Sequence, residues 1–125
     1  MVFSPQTSRR LLYASVGLSA FAVFKHTSIS VGDLFPILDS ALESDPLVAF
    51  SAKCNLLQAS GTLVTMAILQ LKWAQYGVIG KYDKVLLTWY GLASFAFGLG
   101  YFMKGWYLPL IPMWGIPGVV GLSQL

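Results

Sequence analysis

The 125-residue chain has the length of one domain, and 56% of its residues are hydrophobic while only 10% are charged. Soluble domains carry about 25% charged residues, so the composition excludes an ordinary water-soluble fold and points to a lipid bilayer as solvent. A net charge of +3, dispersed at the ends of apolar runs, excludes a nucleic-acid footprint; one cysteine (Cys54) and one histidine (His26) leave no intrachain disulfide, no zinc or haem ligand set and no expected metal or cofactor.

Arg9 and Arg10 precede the apolar run 11–24. Ala20-Phe21-Ala22 resembles a small-x-small cleavage signal, and the lack of acidic residues before Asp33 also suits a mitochondrial presequence. The bulky Phe24 and the Lys25-His26 pair that follow favour an uncleaved signal-anchor instead. Arg10 and Lys25 can snorkel, so a short first span over about 11–29 is predicted.

Residues 30–45 hold four of the five carboxylates: Asp33, Asp39, Glu43 and Asp45. Gly32-Asp33 ahead of Pro36 predicts a helix start capped by Asp33. Leu34, Ile37, Leu38, Ala41 and Leu42 then recur at helical spacing, predicting a short amphipathic interfacial helix over about 33–44. Asp45-Pro46 predicts an N-cap and first residue of a helix running to about Tyr76. Its 50–72 portion is the second span, with Lys53 about two turns in, able to reach the surface or a carboxylate of the preceding segment.

The 85–103 stretch carries no charge between Lys84 and Lys104. At about 1.5 Å per residue it covers most of a ~30 Å hydrocarbon core, giving the third span. The connector from Lys72 to Lys84, with Gly77 and Gly80, is short enough to make the second and third spans antiparallel neighbours. A last span over 106–123 contains Pro109, Pro112 and Pro117 and is predicted to kink or break near Gly115-Ile116-Pro117. The predicted fold is an all-α membrane protein, a four-span antiparallel helix bundle with a short amphipathic interfacial helix between spans one and two. Arg9, Arg10, Lys72, Lys81 and Lys84 would share one side, against Lys25, Lys53 and Lys104 on the other, which predicts cytoplasmic N- and C-termini. The pattern does not distinguish an endomembrane from a mitochondrial membrane.

Ser51, Asn55, Gln58, Thr62 and Thr65 recur at spacings of four, three, four and three, one stripe of the second span that is predicted to turn inward. It reads either as interhelical hydrogen bonding, at about 0.6 kcal/mol per bond, or as the wall of a pocket for a lipophilic molecule bearing a few oxygens. In the pocket reading Asn55, Gln58, Thr62 and Lys53 bind substrate. His26 is the natural acid–base group, and Asp33 or Asp39 its candidate catalytic partners; the alternative is a hydrated interfacial histidine beside solvated loop carboxylates. Gly91, Ser94 and Gly98 form a small-residue face on the third span, suited to close packing against a partner helix. Hydrolase-elbow, P-loop and zincin motifs are missing.

The order of elements resembles the small four-helix DoxX-like membrane proteins over 11–125: a short first span ending in Lys25-His26, a Pro-containing connector with an interfacial helix, then three spans, the third rich in Gly and Ala. The resemblance implies a four-helix membrane fold and an accessory role, in some members within lipid or specialised-metabolite pathways, and transfers no site residue. Two functions follow. One is a non-catalytic accessory subunit or scaffold that binds a membrane-protein partner or further copies of itself. The other is a membrane-embedded isomerase or cyclase acting on a terpenoid, sterol or polyketide.

Overall fold

The first helix begins earlier than the apolar run predicts, because Ser4 and Pro5 supply a complete start signal. In the computed structural model, which describes residues 4–125, the Ser4 hydroxyl accepts the Thr7 N–H at 3.2 Å and Pro5 occupies the first turn of α1 (Pro5–Ile29). The separate helix start expected at Gly32-Asp33 does not form. The chain runs directly through a π-helical turn (Ser30–Leu34) into α2 (Phe35–Ala41). Pro36 explains the widened turn: it has no N–H to give and its ring would clash with the carbonyl four residues back. The turn instead closes with the Phe35 N–H bonding to the Ser30 carbonyl, five residues away. Asp33 therefore sits inside a helical turn and caps nothing, and the separate interfacial helix expected over 33–44 is a seven-residue continuation of α1.

The Asp45-Pro46 signal performs as expected. Asp45 Oδ1 accepts the Val48 N–H at 3.2 Å, opening α3 (Pro46–Tyr76), which is 31 residues long. That is about 46 Å, well beyond a hydrocarbon core. Gly77 ends it at φ 83°, a conformation suited to glycine, while its N–H bonds to the Trp73 carbonyl. After a three-residue link, α4 (Gly80–Met103) runs for 24 residues. The C-terminal segment forms turns, a second π-helical turn (Ile111–Gly115) and α5 (Ile116–Leu122). The span expected over 106–123 is thus helical only over 111–122, about 18 Å, because its prolines withhold N–H groups from a longer ladder. The change from π to α falls at Gly115-Ile116, where the break was predicted.

Every regular element among the described residues is helical, and two helices, α3 and α4, are long and apolar enough to cross a membrane. Only 6% of the most apolar window of each is buried, whereas a core helix of a soluble protein is mostly buried. Phe21, Phe24, Phe50, Phe97 and Trp89 are among the large side chains left facing outward.

Small residues set the packing. Along α3, Ala49, Leu56, Leu63 and Gln70, with Lys53, Ser60, Ala67 and Ala74, recur every seven residues and form the buried or half-buried side against α1 and α2. The two helices are antiparallel, since Ser19 meets Gln70 and His26 meets Ser60. The short link does not lay α3 and α4 side by side: α3 packs along α1 and α2, and α4 along the C-terminal segment, which sits between α4 and α1. Near the link Trp73, Leu12, Ile116 and Val120 are buried together, with Leu87 and Tyr90 of α4 packed against them.

Candidate functional site

The predicted acid–base group does not assemble. His26, on the inward side of α1, places Nδ1 3.0 Å from Ser60 Oγ, while Ser60 donates to the Leu56 carbonyl at 3.3 Å and Thr27 Oγ1 donates to Ser60 at 3.4 Å. Which of Nδ1 and Ser60 Oγ donates is set by the imidazole tautomer. An activated serine gives its proton to the histidine nitrogen, whereas the Ser60 hydroxyl has the Leu56 carbonyl within reach as an acceptor. Asp39 is ion-paired with Lys53, whose Nζ also lies 5.4 Å from the Phe35 ring centroid. Asp39 is thirteen residues beyond His26 along one helical path, about 20 Å, and Asp33 is about 10 Å along it, so neither carboxylate reaches the imidazole. Asp33 is exposed and makes no side-chain hydrogen bond among the described residues. Of the two placements the sequence allows Lys53, the surface or a carboxylate of the preceding segment, the structure shows the second.

The polar stripe faces the other way from its prediction. Ser51, Asn55, Gln58, Thr62 and Thr65 are all exposed. Thr62 and Thr65 satisfy themselves, donating to the Gln58 and Gly61 carbonyls at 3.0 Å each, so neither requires an inward partner. The side toward α1 belongs instead to the seven-residue repeat of smaller and apolar residues, which lets backbones approach. Asn55, Gln58, Thr62 and Lys53 consequently do not line a common pocket. An open apolar groove lies on α1 beside the first π turn, lined by Ala20, Val23, Phe24, Thr27, Val31 and Gly32, and contains none of the candidate binding residues.

Two polar groupings were not singled out in the sequence. Ser19 of α1 donates to Gln70 Oε1 of α3 at 2.8 Å, with both side chains buried; Gln70 Nε2 and the nearby Trp73 Nε1 are buried without a hydrogen-bond partner among the described residues. A seven-residue periodicity passing through Gln70 was the available signal. The second grouping locks the α3–α4 link. Asp83 is 5% exposed, accepts Lys72 Nζ at 2.7 Å on Oδ1, and accepts the Ile79 N–H at 3.1 Å on Oδ2. The Lys72 ammonium first, with the Ile79 amide, outweighs desolvation and holds the Asp83 carboxyl below the usual carboxylate range.

The small-residue face of α4 is used within the chain. Trp114 lies over Gly98, where a Cβ would overlap the indole, and its Nε1 donates to the Phe95 carbonyl at 3.3 Å. Phe95 and Phe102 pack on the same ring, with centroids 5.6 and 5.8 Å away. Gly91, by contrast, is open.

Comparison with protein-family models, with curated proteins and with solved structures gives no match.

Proposed function

We propose that this protein is a multi-pass integral membrane protein, a four-span antiparallel bundle acting as a non-catalytic subunit or scaffold of a membrane assembly. The observation that carries the reading is the outward apolar surface of α3 and α4, of which only 6% is buried in each most apolar window. Such a surface is stable against lipid and costly in water. In this arrangement α1, α3 and α4 cross the bilayer. The C-terminal segment completes the bundle between α1 and α4, its short helix extended by the turns over 104–110.

Charge placement supports an orientation. Arg9, Arg10, Lys72, Lys81 and Lys84 gather at the linked end of α3 and α4 with Asp83, whereas the other four carboxylates belong to the opposite end. The basic end is cytoplasmic, and both chain termini lie on that side. The accessory role rests on the polar stripe of α3, whose Asn55 and Gln58 amides make no side-chain hydrogen bond among the described residues and are there to offer to another membrane helix.

Native mass spectrometry of the protein extracted into nanodiscs tests the role. A stoichiometric protein assembly, of one chain or several, is the expected result. A monomer carrying a specific non-phospholipid small molecule would overturn the reading in favour of an isomerase or cyclase.

A further inference from the structure

The exposed side of α3 carries a second seven-residue pattern. Ser51, Gln58 and Thr65 are spaced by seven, as are Cys54 and Gly61 between them, with Asn55 and Thr62 alongside. All seven residues are exposed, and a Cβ added at Gly61 would meet open space. Ser60, which touches α1, lies two residues from Gln58, about 200° around the helix, so the stripe looks away from the rest of the bundle. It extends for about 21 Å along the middle of α3, most of a hydrocarbon core.

We propose that this stripe is the contact face of a parallel two-fold homodimer, in which α3 of one protomer packs against α3 of a second copy. The inference rests on the membrane reading above. Asn55 and Gln58 make no side-chain hydrogen bond among the described residues, and hydrocarbon offers them none. Whatever covers them must supply donors and acceptors together.

A second copy meets that condition. Copies inserted in one bilayer share one orientation, so a two-fold axis along the membrane normal brings each residue of the stripe to its own counterpart. An amide is self-complementary, because it donates and accepts; a carboxylate or an ammonium facing its own copy would repel. The stripe contains no charged residue. Small residues at Ser51, Cys54 and Gly61 let the backbones approach, and the seven-residue period suits two helices wound around each other with a left-handed twist.

Cys54, the chain's single cysteine, lies in this seam and reports on it. Membranes containing the full-length protein are treated with a short bis-maleimide and resolved by gel electrophoresis, with alkaline carbonate extraction of the same membranes alongside. The expected product is a species of twice the 13.6 kDa chain mass. Gln58→Leu is expected to weaken association roughly tenfold, Gln58→Asn to retain it, and Leu57→Ala, on the flank of α3, to leave it unchanged. A chain that resists carbonate yet stays monomeric overturns the dimer and leaves the membrane reading standing. So does a cross-linked pair indifferent to Gln58→Leu, or a product containing a different protein. Release into the carbonate supernatant overturns the membrane reading and the dimer with it.

Discussion

Asp83 is the carboxylate with the most partners, and its surroundings fix how the link between α3 and α4 responds to pH. Its folded-state pKa lies below the ordinary value of about 3.9, so its contribution is complete above that value and is lost as pH falls through the depressed one. The difference in melting temperature between the unsubstituted protein and Asp83→Asn in detergent should be constant from pH 7 to about pH 5 and shrink below about pH 4, as the Asp83 carboxyl takes up its proton. Gly98 makes a second residue-scale prediction. Gly98→Ala forces the Trp114 indole to move, which should cost about 1–3 kcal/mol in reversible unfolding, and Trp114→Ala in the same background should recover part of the loss. The sequence shows Gly98 as a small residue suited to close packing, but not that the packing residue comes from sixteen positions along the same chain. That depends on how the proline-rich segment folds back.

At the scale of elements, legibility follows how local the signal is. Asp45 and Pro46 define a helix start within four residues, and the structure keeps it; Asp45→Ala should cost about 0.5–2 kcal/mol, readable in the same unfolding measurement. Gly32-Asp33 offers a similar start signal and is overridden, because a single π turn absorbs Pro36 and spares the helix a break. The misplaced side of α3 has a different cause. Polarity suggested that Asn55, Gln58, Thr62 and Thr65 turn inward, but two threonines bond to their own helix and close approach to α1 and α2 favours Ala49, Ser60, Ala67 and Ala74. Of the candidate site, only the meeting of Lys53 with a nearby carboxylate was legible. His26 could not be paired from sequence, since its neighbour Ser60 comes from another helix, 34 residues away.

At the scale of the whole molecule, α3 and α4 keep their apolar side chains outside, the reverse of a soluble protein's arrangement, and the proposed membrane placement gives that surface lipid as its solvent. Composition points to that placement early, while the packing order of the helices emerges only with the fold. The basic end further predicts that tags placed at either terminus are accessible from the cytoplasmic side of sealed vesicles and protected from the other. The most direct test of the lipid-facing surface is a spin label placed at Phe97→Cys on α4 in a Cys54→Ser background, reconstituted in bilayers. Collisions with oxygen should be frequent and those with a water-soluble nickel chelate rare; the opposite ranking would put this surface in water and contradict the membrane account.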